Sequence, residues 1–204
     1  ALRTNAIKAK IDKTINSSKC RLCKEREETV DHLVSACSKI AQTEYKARHN
    51  KVATMLHWSL CQKYNLPAAD KWWEHKVEKV VQNDDAKILW DFSIQTDKHL
   101  AHNIPDITVV ERKQVWIIDV SIPGDSRIEQ KEMEKITKYQ DLRIEVERIW
   151  EKRATVVPVV IGALGAIPRD LQKHLETLGL DKISPSQLQK AALLGTANIL
   201  RKYL

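Results

Sequence analysis

Asp106 follows Pro105, Asp119 lies thirteen residues further on, and Lys135 sits in a charged helical stretch beyond them. Two carboxylates and an amine gathered by a strand–strand–helix unit can hold a divalent metal against a phosphodiester. The carboxylates are hard oxygen ligands suited to Mg²⁺ or Mn²⁺. Such a metal polarises a phosphoryl oxygen and lowers the pKa of a bound water. The lysine would orient that water or stabilise charge on the pentavalent phosphate. Two carboxylates leave open whether one metal or two is held. Tyr139, one turn beyond Lys135, can hydrogen-bond near the same point.

A second set of residues has the spacing of a zinc site: Cys20-x2-Cys23-x8-His32-x4-Cys37. Zinc takes Cys and His in a tetrahedron at such short spacings. Cys20 and Cys23 make a tight loop, and His32 and Cys37 fall about one helical turn apart. With all four positions filled by strong ligands, the site is expected to be closed and structural. Its expected work is to order residues 17–40 and to present Lys19, Arg21, Lys24 and Arg26. The fourth cysteine, Cys61, shares a helical stretch with Leu56 and Leu60 and reads as a buried thiol.

The elements that must position these groups follow from periodicity. A helix starting near Thr29 carries His32, Val34 and Cys37, and a second runs from about 43 to 64, before Pro67. A third is expected over 70–83, stopped by Asn83-Asp84-Asp85. The period then changes to two. Ile88–Thr96 alternates Trp90, Phe92 and Ile94 as a strand does, and Ile107–Glu111 and Gln114–Ile122 flank Arg112-Lys113 as a hairpin. Pro123-Gly124-Asp125 breaks the strand. Ser126 with Glu129 has the pattern of a capping box at the head of a long helix running to about Arg153. Thr155–Ile161 is a further strand, and 166–204 reads as two helices around Ile183-Ser184-Pro185. The expected fold is α/β, a small mixed sheet between helices. Its expected divisions are 1–66, a basic segment with the zinc knuckle and a helix; 67–165, the core; and 166–204, C-terminal helices packed on that core.

A hairpin turn centred between Arg112 and Lys113 sets Asp106 directly opposite Asp119, with Cβ atoms about 4.5–5.5 Å apart. Like charges so placed need a neutralising partner, and a divalent metal supplies one. The same register gives Thr108, Val110, Val115, Ile117 and Ser121 to the acidic face. Ile107, Val109, Trp116, Ile118 and Val120 go to the other, so the hairpin should be covered on both sides. On the long helix, Ile128, Lys135, Tyr139, Leu142, Val146 and Ile149 share one stripe. Lys135 interrupts that apolar line, so its ammonium should face the acids or a bound phosphate. Lys131 and Lys138 flank it as solvated charges or DNA contacts. His99 and His102 read as ordinary loop residues or DNA contacts. The bland alternative makes Asp106 a turn residue and pairs Asp119 with an arginine.

With 204 residues and a net charge of +7, the chain suits one medium domain with a small appendage and a polyanionic partner. It has no apolar run near the ~20 residues of a membrane span and no signal-peptide pattern, which favours a soluble intracellular protein without a membrane partner. Ala1 at the start fits a piece of a longer polypeptide. Four cysteines, three of them at metal spacing, fit a reducing compartment. A non-catalytic nucleic-acid-binding module and a structural interaction domain remain as alternatives to a nuclease.

Three stretches, 91–97 (Asp91-Phe92-Ser93-Ile94-Gln95-Thr96-Asp97), 102–106 (His102-Asn103-Ile104-Pro105-Asp106) and 117–125 (Ile117-Ile118-Asp119-Val120-Ser121-Ile122-Pro123-Gly124-Asp125), resemble the C-terminal end of site-specific non-LTR retrotransposon proteins. Those proteins carry a reverse transcriptase, then a Cys-Cys-His-Cys knuckle, then a restriction-like endonuclease. The resemblance runs from about Cys20 to at least Tyr139. It implies a PD-(D/E)xK restriction-endonuclease-like fold that nicks double-stranded target DNA in the nucleus to prime reverse transcription. The reverse transcriptase of the same polyprotein and the element's RNA are the implied partners. It implies Asp106 and Asp119 as the acids and Lys135 as a lysine displaced onto a helix. In the general restriction-enzyme pattern that lysine lies two residues after the second acid, where this chain has Ser121. Members of the family also resemble archaeal Holliday-junction resolvases.

Overall fold

Crowded Val and Ile on either side of Arg112-Lys113 make a hairpin the local optimum, and the sheet is built around it. A computed structural model describes residues 2–204. Five strands, β1 (Val80–Gln82), β2 (Ala86–Trp90), β3 (Ile107–Glu111), β4 (Gln114–Ser121) and β5 (Arg153–Val160), lie in that spatial order. The first four are antiparallel and β5 joins β4 in parallel. β5 is an edge strand, which tolerates the missing N–H of Pro158.

The hairpin register is the expected one: Ile107 faces Ile118, Thr108 faces Ile117, Val109 faces Trp116 and Val110 faces Val115. Both faces are covered. Helices α2 (Lys46–Lys63), α5 (Leu171–Thr177) and α6 (Pro185–Tyr203) enclose a core with Ile107, Val109, Ile118 and Val120. Helix α3 (Ile128–Lys138) lies along β5 and leads into α4 (Gln140–Trp150). α4 closes the opposite face, where Leu142 and Val146 meet Val115 and Ile117. The fold is thus a mixed sheet between helices, with a Cys/His cluster near the N-terminus behind a short helix α1 (Asn5–Lys10).

Four local expectations are corrected. The helix over 70–83 is replaced by a loop with one short turn at Trp72–Glu74, followed by β1. The valines at 80 and 81 find β2, so pairing overrides a helix-compatible spacing. Asn83-Asp84-Asp85 is a hairpin turn, not a helix stop: Asn83 Oδ1 accepts the N–H groups of Asp85 and Ala86, both at 3.0 Å. The strand expected through Thr96 ends at Trp90, because Asp91 takes a left-handed conformation (φ 44°). The long helix is two helices. Tyr139 interrupts it (φ −107°, ψ 12°), Gln140 Nε2 reaches back to the Ile136 carbonyl at 3.1 Å, and α4 ends before Glu151 (φ 52°).

The capping box at Ser126 and Glu129 does not form, since Arg127 is the N-cap and has no side-chain bond. Ser126 lies instead in a short turn, Asp125–Arg127. Asp125 Oδ1 and Oδ2 accept the N–H groups of Leu164 and Ala166 at 2.7 and 3.0 Å. Gly162 is required there, because a Cβ would lie 2.3 Å from Asp125 Oδ1. A capping box does head α6, where Ser184 and Gln187 bond reciprocally and Pro185 opens the helix.

Candidate active site and zinc-ligand set

Asp106 immediately precedes β3 and Asp119 lies near the end of β4, so the hairpin brings both acids to one end of the sheet. Asp119 is almost fully buried, at 2% exposure. Its Oδ2 has no hydrogen-bond donor on axis; the Lys135 ammonium touches it as an ion pair at 2.5 Å. Lys138 Nζ lies 3.3 Å from Oδ1. Burial would raise the Asp119 carboxyl, but the charge of Lys135, with help from Tyr139 and Lys138, outweighs it. The net effect holds the group below its ordinary 3.8. The arginine partner of the bland alternative is therefore replaced by two lysines.

The break at Tyr139 has a local use. Its ring is buried, its hydroxyl donates to the Ile104 carbonyl at 3.1 Å and accepts from Lys138 Nζ at 2.9 Å. Burial first, then the charge of Asp119, pushes the phenol pKa far up, so Tyr139 stays a neutral donor. Lys135 and Lys138 thus reach one carboxylate from the last turn of α3, and the Tyr139 hydroxyl holds the Lys138 ammonium.

Asp106 is held from the other side of the sheet. Its Oδ2 accepts the Val120 N–H at 2.6 Å and faces His49 Nε2 at 3.1 Å. The same nitrogen lies 3.2 Å from the Val120 carbonyl. Both neighbours are acceptors, so Nε2 carries the proton. Burial lowers the His49 pKa, but the Asp106 hydrogen bond and charge raise it more, and the net shift is upward. Sequence reading missed His49. The available signal was its position on the α2 stripe with Val52, Ala53, Leu56 and Leu60, where a histidine interrupts buried apolar residues.

Asp106, Asp119, His49, Lys135, Lys138 and Tyr139 line one open cleft of about 330 Å³. A larger cavity of about 830 Å³, between Trp58, Trp72 and the 179–187 segment, contains none of these groups. The cleft therefore defines the candidate site. Ser121 also lines it, and the lysines that meet Asp119 there are Lys135 and Lys138. Other expected contacts lie elsewhere. Lys131 pairs with Glu134 on its own helix, and His99 and His102 are exposed in the loop before Pro105.

Cys20, Cys23, His32 and Cys37 converge in a buried cluster whose ligand atoms all lie within 4.8 Å of one another. Cys20 Sγ to Cys37 Sγ is 3.9 Å and Cys23 Sγ to His32 Nε2 is 3.3 Å. A tetrahedral zinc would set these edges near 3.8 and 3.6 Å, computed from its usual bond lengths (~2.3 Å to sulfur, ~2.0–2.1 Å to nitrogen). The donor set and its geometry fit structural zinc. Backbone N–H groups of Arg26 and Glu25 favour the Cys23 thiolate and bring its pKa down to about 6. Cys37 lies just past the helical turn His32–Ala36, and Tyr45 Oη accepts its N–H at 2.9 Å while donating towards the Leu33 carbonyl at 2.9 Å.

The basic residues of this segment divide. Lys24 and Arg26 are exposed, as expected. Arg21 is not presented outward: it pairs at 2.6 Å with Glu28, which is fully buried, and bonds the Tyr203 carbonyl at 2.7 Å. No family model matches the chain, and no curated protein matches it.

Proposed function

We propose that the cleft at Asp106 and Asp119 is the active site of a divalent-metal-dependent DNA endonuclease. The observation that carries this reading is one cleft lined by Asp106, just before β3, by Asp119 on β4, and by Lys135 from the following helix, which pairs with Asp119. Asp106 and Asp119 would hold Mg²⁺ or Mn²⁺. The buried Asp119 carboxylate already sits against the Lys135 ammonium, so a cation is the kind of partner its Oδ2 takes. When bound, the metal would polarise a phosphoryl oxygen and acidify a water ligand.

The chain's own groups have separable work. His49 and the Val120 N–H fix the Asp106 carboxylate so that Oδ1 is left for ligands. Lys135 stabilises charge developing on the phosphoryl group. Lys138 and Tyr139 hold the Asp119 end of the cleft in register. The net charge of +7 and the exposed Lys24 and Arg26 favour phosphate contacts along the duplex.

The PD-(D/E)xK assignment, nuclear action, nicking for target-primed reverse transcription, and partnership with an element's RNA and reverse transcriptase rest on the motif resemblance alone. One observation favours a non-catalytic nucleic-acid-binding module instead: Lys135 and Lys138 already meet both oxygens of Asp119, so its burial needs no metal.

Nicking of supercoiled duplex DNA with Mg²⁺ or Mn²⁺ separates the two. Cutting that requires metal and disappears in Asp119→Ala supports the nuclease. Metal-dependent cutting that survives the substitution rejects this site, and salt-sensitive binding without any cutting favours the module.

A further inference from the structure

A second convergence of metal-ligand side chains lies outside both sites above. His57 and Cys61 stand four residues apart on α2, which puts them on one face, one turn above the other. His75 reaches them from the loop between α2 and β1, immediately after the short turn Trp72–Glu74. His57 Nδ1 is 2.9 Å from His75 Nε2 and 3.5 Å from Cys61 Sγ. All three ligand atoms lie within 4.8 Å of one another. His57 and Cys61 are fully buried, and His75 is half-buried with Nε2 turned onto them.

A tetrahedral zinc would set an N–N edge near 3.3 Å and an S–N edge near 3.6 Å, from bond lengths of roughly 2.0–2.1 and 2.3 Å. The observed 2.9 and 3.5 Å need only a small opening of the triangle. The donors are imidazole and thiolate, the pair that zinc prefers over hard oxygen-seeking cations.

We propose that His57, Cys61 and His75 form a second zinc site, distinct from the Cys20-Cys23-His32-Cys37 set. Binding forms a zinc–sulfur bond and releases the Cys61 proton to solvent. Its effect is to tie the loop bearing Trp72, Trp73 and His75 to α2, where hydrogen bonds are otherwise few. The loop forms one wall of the larger cavity, so the metal braces that wall.

The test is zinc stoichiometry on the full chain, by elemental analysis after removal of loosely bound metal. The expected result is two zinc ions per chain, falling to one in His75→Ala and one in Cys61→Ala. Cys23→Ser, which breaks only the other set, should fall to one as well. Equal zinc in wild type and His75→Ala overturns the proposal, whatever the total. As a second measurement, stripped chain, wild type and His75→Ala, is reloaded with one and then two equivalents of zinc. Protection of residues 66–79 from protease should return with zinc in wild type and not in His75→Ala. Protection that returns equally in both overturns the site.

Discussion

Replacing Lys135 by Met keeps the aliphatic stem and removes the charge nearest Asp119. Breaking a fully buried ion pair by deleting one partner costs about 3–5 kcal/mol. Two features lower that figure here: Lys135 is 20% exposed, and Lys138 still stands 3.3 Å from the other oxygen. A loss of about 2–3 kcal/mol at neutral pH is therefore expected. The loss should depend on pH in a direction the structure dictates. In the wild type the Asp119 carboxyl is held below 3.8, so its ion pair contributes stability above that range and loses it as pH falls through the folded pKa. In Lys135→Met the opposing effect of burial is left less compensated and the folded pKa rises. A carboxyl with a raised folded pKa destabilises once ionised. The deficit should therefore be smallest at the acid end of a window running from about pH 8 down to about pH 4. Urea denaturation of both proteins, zinc-saturated, across that window measures it. Asp119→Asn combined with Lys135→Met should recover a coupling of about 2 kcal/mol, because the buried carboxylate and its nearest ammonium are removed together, while nicking stays absent. A Lys135→Met protein within about 0.5 kcal/mol of wild type at every pH would refute the pairing, since surface substitutions ordinarily fall in that range.

His49→Gln should show the opposite pH trend. The His49 pKa is raised above 6.5, so pairing with Asp106 stabilises fully below that value and is lost as pH rises through the folded pKa; wild type should lose its advantage over the variant between pH 6 and 9 in parallel denaturation curves. Gly124→Val should cost about 1–3 kcal/mol by overpacking and loosen zinc retention, because a Cβ there would lie 2.9 Å from Asp31 Oδ1 and 3.0 Å from Ser35 Oγ, beside His32; a melt and a zinc-competition titration read the two effects. Tyr139→Phe should cost about 0.5–1.5 kcal/mol by removing the hydrogen bond to the Ile104 carbonyl, measured by denaturation, and should reduce nicking less than Lys135→Met does.

The hairpin register was legible because a two-residue turn between two β-rich runs leaves a single symmetric pairing, and Asp106 and Asp119 follow from it. Lys135 was legible because a charge on an apolar stripe needs an anionic neighbour. The Cys20-Cys23-His32-Cys37 cluster was legible because its members are local, within one loop and one helical turn. His49 was not, since its partner is 57 residues away and only the α2–sheet packing joins them. Lys138 looked like one more charge on a charged helix, and the break at Tyr139 just after it leaves no Pro or Gly signature. β1 was missed because its valines satisfy a helical stripe as well as an edge strand, and only β2 decides between them.

The junction between the cysteine-rich module and the sheet has a practical consequence for anyone dissecting the molecule. Tyr45 grips the backbone of that module with its hydroxyl while its ring stacks under the Arg48 guanidinium at 5.1 Å, next to His49. On the opposite flank, Asp31 and Ser35 abut Gly124, just downstream of Asp119. Trimming residues 1–66 to obtain a minimal catalytic fragment would therefore amputate one jaw of the cleft and strip the sheet of the helix that shields it. A silent fragment would report a missing scaffold, and only the intact chain with its metal loaded is a fair substrate for judging activity.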